Sequence, residues 1–370
     1  MASEISAIED IIMDAQNGQP FILVDADDRE NEGDIIVPAQ FATPERINQM
    51  ARHARGLICL AITGQRAREL ELEQMSQDNR SGHGTAFTVS IEAAKGVTTG
   101  ISAYDRARTI ATAINPASTP EDIVTPGHVF PLVARDGGVL MRAGHTEAAV
   151  DISRLAGLMP AGVICEVMNE DGSMARLPDL IPFAAKHGMK IGTIADLIAY
   201  RRKSEKLVEK ITEAPFETYF GNNFTIHVFR DLIDGGEHVA LVRGQPNPET
   251  ETLVRVHQVD LTADLLGYRY AHRDYVPRML RQIGEHDGPS VAVFVRDPDP
   301  KSISRRVEGG RREYANRFGS RDYGIGAQIL RELGVARMNL LTSSSAKMAA
   351  LEGFGLEVVD RTPVVERDGG

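Results

Sequence analysis

Cysteine is scarce in this chain of 370 residues. There are two, Cys59 and Cys165, each inside an apolar, strand-like run. Two such thiols build no disulfide framework and suit a reducing compartment. Long apolar runs are missing as well: none approaches the roughly 20 residues that a membrane-crossing helix needs. Met1-Ala-Ser-Glu4 offers neither a basic start nor an apolar stretch behind it, so it does not read as a secretory leader, and a cytoplasmic protein is expected. Positive charge is in deficit, with 41 Lys and Arg against 52 Asp and Glu and a net charge of -11. Such a field repels nucleic acid and anionic membrane alike. Repeats and low-complexity segments are absent. The remainder, 42% hydrophobic and 25% charged, is an ordinary globular composition, and the length points to two domains.

One stretch stands out: Asp25-Ala-Asp-Asp-Arg-Glu-Asn-Glu-Gly-Asp34, directly after the strand-like Phe21-Ile-Leu-Val24. Six acids within ten residues repel one another, and a structural turn has no need of them. A hard divalent cation does, because it prefers carboxylate oxygen and keeps waters and substrate oxygens in its shell. Arg29 lies inside the run, where its fork suits a phosphate. Gly33 allows a bend that other residues resist. A solvated acidic turn is the bland alternative, and the rest of the chain has to decide between them.

The patterning predicts a helix over 4–18, then the strand 21–24 and the acidic loop. Thr43 caps a helix with Pro44 at its first position. Residues 56–62 read as a buried strand and 85–92, which alternate, as another. Gly96-Val-Thr-Thr-Gly-Ile-Ser102 leads into a helix whose N-terminus either binds phosphate or is simply capped by Ser102. Arg142, His145 and Thr146 cluster around Gly144 and combine a phosphate fork, an imidazole and a hydroxyl, ahead of a helix over 147–156. His128, after Pro126-Gly127, is expected on a loop, where imidazoles are available for chemistry. Val163-Ile-Cys-Glu166-Val-Met carries a lone carboxylate within an apolar strand, the pattern of a general acid or base with a raised pKa. Residues 179–200 read as two helices around a short strand-like piece at 189–192, and the boundary falls near 201–212. Beyond it, a hairpin turns at Asp234-Gly-Gly236. Strands follow at 254–257, 290–295 and 338–342, with helices at 275–284 and 323–334 and a loop or mobile segment over 298–320.

These motifs, Asp-Arg-Glu-Asn-Glu-Gly-Asp (28–34), Gly-Thr-Ala-Phe-Thr-Val (84–89), Gly-Val-Thr-Thr-Gly-Ile-Ser-Ala-Tyr-Asp-Arg (96–106), Thr-Pro-Gly-His (125–128) and Arg-Ala-Gly-His-Thr-Glu (142–147), resemble 3,4-dihydroxy-2-butanone 4-phosphate synthase over about residues 5–203. The resemblance implies an α+β domain over 1–203, working as a homodimer with sites near the interface. It implies a lyase of riboflavin biosynthesis that turns D-ribulose 5-phosphate into 3,4-dihydroxy-2-butanone 4-phosphate and formate with two Mg²⁺ or Mn²⁺ ions per site. On this resemblance Glu30 and His145 hold metal. Arg29, Glu30, Asp34, Arg142, Ala143, Gly144, His145, Thr146 and Glu166 hold the sugar phosphate, with Thr109 a further phosphate candidate. His128 and Glu166 are the proton-transfer residues, with Glu32 and Asp25 as further catalytic participants.

The second half, 210–370, resembles GTP cyclohydrolase II, an α/β fold. Its signals are Val254-Arg-Val-His257, Leu261-Thr262, Arg321-Asp-Tyr-Gly-Ile-Gly326 and Asn339-Leu-Leu-Thr342. That family opens the guanine ring with a Zn²⁺ held by three cysteines. Here the three positions carry Asp260, Ala271 and Arg273. Val295-Arg-Asp-Pro-Asp-Pro300 stands in place of the family's nucleotide loop, and Gly319 in place of an acid before Arg321. His257, Asp260 and His272 match no defensible zinc arrangement. A folded but zinc-free, GTP-inert domain that stabilises or modulates the lyase is expected. The alternatives are a bifunctional enzyme that also hydrolyses GTP, and a non-catalytic regulator that binds sugar phosphate or nucleotide.

Overall fold

The structure, a computed structural model, describes residues 5–365 apart from 28, 77, 81, 83, 269–273, 298–300, 305, 309–319 and 343–353. The chain divides into two compact units, Met1–Arg201 and Arg202–Gly370. The first runs α1 (Ile8–Gln16), β1 (Phe21–Val24), β2 (Gly33–Pro38), α2 (Pro44–Gln49), β3 (Cys59–Thr63), α3 (Gly64–Glu69), β4 (Ile91–Ala93), α4 (Ala103–Ile114), β5 (Ile123–Ala134), α5 (His145–Leu155), β6 (Gly162–Glu166), α6 (Leu177–His187), β7 (Ile191–Thr193) and α7 (Ile194–Ser204). Its strands form one mixed sheet in the order β4-β5-β3-β6-β2-β1-β7.

Strand alternation sorts the core into two layers. Ile22, Ile35, Leu60 and Val163 pack with Ile47 of α2, Ile110 of α4 and Leu180 of α6. Phe21, Leu23, Ile36, Cys59 and Ile164 pack on the opposite face with Ile11 of α1, Ala148 and Ile152 of α5 and Leu197 of α7. Each such aliphatic side chain, fully buried, stabilises the fold by about 1.5–3 kcal/mol. Register then fixes the chemistry. Leu23 faces Asp34 and Asp34 faces Glu166 across neighbouring strands, so both carboxylates share the α5 face.

Several expectations shift. The acidic run does not stay a loop to its end: Gly33 and Asp34 already belong to β2. The run 85–92 is mostly irregular, with single bridges at Phe87 and Thr88 and strand only from Ile91. His128 lies within β5 rather than on a connecting loop, although the ladder with β4 is irregular just there.

The second unit begins with a strand that the charge-rich sequence did not suggest, β8 (Val208–Thr218). It continues as β9 (Gly221–Asp231), β10 (Glu237–Arg243), β11 (Glu251–Gln258), α8 (Tyr275–Glu285), β12 (Ser290–Val295), α9 (Ser320–Glu332), β13 (Arg337–Leu341) and β14 (Glu357–Thr362). Its sheet order is β14-β13-β11-β12-β10-β9-β8. The hairpin around Asp234 pairs Arg230 with Glu237, as the glycines predict. Within 298–320, residues 302–304 and 306–308 are helical, which replaces the expected loop over that part.

Candidate active site

Asp25 sits at the end of β1, 5% exposed, and its carboxylate folds the acidic loop back on itself. It accepts from Arg29 Nη1 at 2.7 Å, from Glu32 N–H at 2.7 Å and from Glu30 N–H at 3.1 Å. Burial pushes its pKa up, but these bonds and the nearby His145 outweigh that and hold it below the usual carboxylate value. Arg176 adds a second clamp by donating to Glu30 O at 2.6 Å and to Asn31 O. Asp25, expected as a catalytic participant, thus also shapes the loop. Its neighbour Glu30 is the more open acid.

His145 is the first residue of α5 and is 5% exposed. Its Nε2 lies 3.2 Å from Leu23 O, a carbonyl that only accepts, so Nε2 carries the hydrogen and Nδ1 a lone pair. Nδ1 looks onto Asp34 Oδ1 at 3.7 Å and Glu30 Oε2 at 4.0 Å. Ligand atoms of Asp25, Glu30 and His145 all lie within 4.8 Å of one another. Asp34 Oδ1 is buried with no hydrogen-bond partner among the described residues. Burial, then Glu166, Glu32, Glu30 and Asp25 in that order, push the Asp34 pKa well up, and burial with Glu30 raises that of Glu32. An orphaned buried carboxylate oxygen beside an imidazole lone pair and further acids is a donor set that suits a divalent cation.

Next to this cluster two guanidinium groups meet. A Cβ on Gly144 would lie 2.4 Å from Arg142 Nη1 and 3.0 Å from Arg29 Nη2. Gly144 is the N-cap of α5 and offers no side-chain cap, so the amides of 145–147 are open to an anion. Arg142 is held by Glu147 at 2.7 Å and by Thr85 Oγ1 at 3.0 Å. Glu147 in turn accepts Arg135 N–H at 3.0 Å, and Asp151, one turn on, accepts Val139 N–H at 2.8 Å and Arg201 Nη1 at 2.7 Å. These buried acids fasten the segment that carries Arg142, Ala143 and Gly144 onto α5. Thr146 is buried in the first turn.

Glu166 ends β6. Its Oε2 accepts Leu57 N–H at 2.8 Å. His128 Nδ1 lies 2.8 Å from Glu92 Oε2. Two other candidates are engaged within the fold. Thr109 is fully buried and its hydroxyl accepts Ala93 N–H at 3.0 Å, tying α4 to β4. The α4 N-terminus is no anion site. Ser102 caps it, and the Asp105 carboxylate accepts from Thr98 and Gly100, filling the place an anion would take. Glu92, Glu147 and Arg176 were not singled out from sequence. Glu147 closes the Arg-Ala-Gly-His-Thr-Glu motif, whereas Glu92 and Arg176 carry no local signal.

A family model described as 3,4-dihydroxy-2-butanone 4-phosphate synthase matches residues 9–200. A Neisseria meningitidis serogroup B protein named 3,4-dihydroxy-2-butanone 4-phosphate synthase is 50% identical over 357 residues, covering 96% of this chain and 98% of its own. The chain belongs to the 3,4-dihydroxy-2-butanone 4-phosphate synthase family. The synthase relatives include solved structures. The crystal structure of RibBX, a two-domain synthase from A. baumannii, matches at a TM-score of 0.79 and 40% identity, over 98% of this chain and 100% of that one. A synthase crystallised in complex with two magnesium ions matches at 0.52 and 41% identity, over 54% of this chain and 98% of its own. Within the second unit, residues 209–363 match a family model described as GTP cyclohydrolase II.

In that second unit the cysteine-replacing Asp260 is structurally occupied. Its Oδ1 accepts Thr262 N–H at 3.0 Å and Ala263 N–H at 3.2 Å, capping the turn 261–265, and its Oδ2 pairs with Arg306 at 2.9 Å. His257 is buried with Nε2 2.8 Å from Asp264. The other positions expected to have lost zinc or nucleotide contacts, Ala271, Arg273, 298–300 and Gly319, lie outside the described residues, as does His272.

Proposed function

We propose that the first unit converts D-ribulose 5-phosphate to 3,4-dihydroxy-2-butanone 4-phosphate and formate. One observation carries the reading: the Arg29 and Arg142 guanidiniums meet over the open N-terminus of α5, directly beside the Asp25–Glu30–His145 cluster. A phosphate gripped there presents the sugar's oxygens to the acids. Glu30 and His145 would hold Mg²⁺ or Mn²⁺, two ions per site, which when bound polarise the adjacent carbonyl and hydroxyl oxygens. The chain's own part is to orient and to move protons. Glu166 is steadied through Oε2 by Leu57 N–H, which leaves Oε1 for the substrate, and His128 is the second proton-transfer group. Asp34 and Glu32 line the same acidic wall, where burial and like charge favour their protonated forms.

The working form in this reading is a cytoplasmic homodimer. Exposed Ile101, Tyr104 and Val124, on segments next to the Glu92–His128 pair, are the apolar surface that a second copy would cover. The second unit is read as catalytically silent, because Asp260 is consumed by a cap and an ion pair.

The test is formate release from ribulose 5-phosphate. Mg²⁺-loaded protein turns over, EDTA abolishes turnover, and added Mg²⁺ restores it. Undiminished turnover in chelator removes the metal role. Absence of formate from the Mg²⁺-loaded protein removes the lyase reading.

A further inference from the structure

His128 is not an isolated imidazole. In the β4–β5 ladder the adjacent residues Ile91 and Glu92 face Val129 and Val124, so Thr125, Pro126, Gly127 and His128 are extruded between them as a bulge. Bulges re-aim side chains, and this one is pinned from β4 at two points. Ser90 Oγ accepts Gly127 N–H at 3.1 Å, and Glu92 Oε2 accepts His128 N–H at 3.1 Å. The same Glu92 oxygen lies 2.8 Å from His128 Nδ1. Backbone and ring of one residue thus converge on one oxygen, which fixes the ring's direction. An ionised carboxylate only accepts, so Nδ1 carries a hydrogen and Nε2 is the nitrogen free for chemistry.

Burial is asymmetric across the pair. The Glu92 side chain is 11% exposed and that of His128 44%. The second oxygen, Glu92 Oε1, is buried with no hydrogen-bond partner among the described residues. Anchoring one backbone N–H does not call for a charge in such a place, where a neutral side chain serves at lower cost. Space around the carboxylate is filled by backbone: a Cβ on Gly100 would lie 2.1 Å from Oε1, and one on Gly127 2.0 Å from Ile91 O. Thr109 holds the next residue, Ala93, from behind. A buried anion is thus set rigidly against the back of a ring whose other edge meets solvent.

We propose that Glu92 is a positioning residue for the lyase reaction, keeping His128 in its Nδ1–H form with Nε2 aimed outward and balancing the charge the ring gains. The proposal rests on the reading of His128 as a proton-transfer residue. When the substrate's bond to hydrogen breaks, the electron pair stays on the sugar and the proton bonds to Nε2. Glu92 positions the ring and moves no proton.

The experiment uses the full-length, Mg²⁺-loaded chain and three variants: His128→Ala, Glu92→Gln and the two combined. Gln keeps the size and an acceptor for His128 N–H but removes the charge and can offer either amide face to Nδ1. Glu92→Gln should lower kcat by about 10- to 100-fold, the lower range of a lost acid–base contribution, with little change in KM. The combined variant should be no slower than His128→Ala alone, because the two residues act as one unit. ¹⁵N-imidazole NMR should show neutral His128 as the Nδ1–H tautomer in the native protein and as a mixture in Glu92→Gln. A Glu92→Gln enzyme with native kcat, losses that multiply in the combined variant, or an Nε2–H tautomer in the native protein would each overturn the proposal. If Glu92→Gln does not fold, the native tautomer decides. A fully active His128→Ala enzyme would instead sink the underlying reading of His128.

Discussion

Asp34 and Glu166 face each other across β2 and β6, and the two need not share one fate. Asp34 is sealed in, so burial and its neighbours drive its pKa up. Glu166 keeps an oxygen available beyond its bond to Leu57. Glu166→Gln is therefore expected to cut turnover by roughly 10²-fold or more with little change in melting temperature, the signature of a lost acid–base group. Formate assays and a thermal melt on the same preparation check this. The thiols make the opposite case. Cys59 and Cys165 are both buried and free, and burial first, then Glu166 and Asp34, push both pKa values far up. The thiolate is the reactive form, so neither should be labelled by a polar thiol reagent until the protein unfolds, as mass spectrometry before and after denaturant will report. At this scale charge pattern was legible in the sequence. Asp25, Glu30, Asp34, Arg29, Arg142 and His145 do converge. Partners from distant strands were not: nothing around Glu92 or Arg176 announces His128 or the acidic loop, because those contacts exist only once the sheet is built.

Elements with a clean apolar pattern were readable, and elements without one were not. α1, β1, β3 and α5 have continuous or 3.6-period apolar stretches that pack on both neighbours. β2 begins inside an acidic run, and β8 alternates charge with small residues and is exposed over most of its length, so neither shows the pattern of a buried strand. The run 85–92 alternates like a strand, yet Val89 donates to Glu73 and Thr88 to Pro131, which spreads its bonds over several partners. The join between loop and helix at Gly144 is where element geometry meets function. Gly144 has φ -120° and ψ 160°, backbone that alanine adopts without strain. Gly144→Ala should leave the fold intact and displace both guanidiniums. The KM for ribulose 5-phosphate should rise about tenfold, equivalent to about 1.4 kcal/mol. An unchanged KM, read from initial rates, would mean that the phosphate sits elsewhere.

Across the whole molecule, two units that match two family models carry unequal chemistry. The first keeps acids, imidazoles and guanidiniums in one constellation. The second keeps its sheet and apolar core, with Leu241, Met279 and Ala292 packed together, while Asp260 has a structural occupation in place of a ligand's. We expect purified protein to contain no stoichiometric zinc in the C-terminal half and to release no formate from GTP. Elemental analysis and a GTP assay measure both, and zinc at one equivalent or formate from GTP would restore the bifunctional reading. The Asp260 cap also ties the turn to the second unit's stability. Replacing Asp260 by cysteine would strip the turn 261–265 of its acceptor and take from Arg306 its nearer anion, leaving Asp297 at 3.9 Å. A cysteine placed there therefore costs the second unit stability before it offers a metal anything.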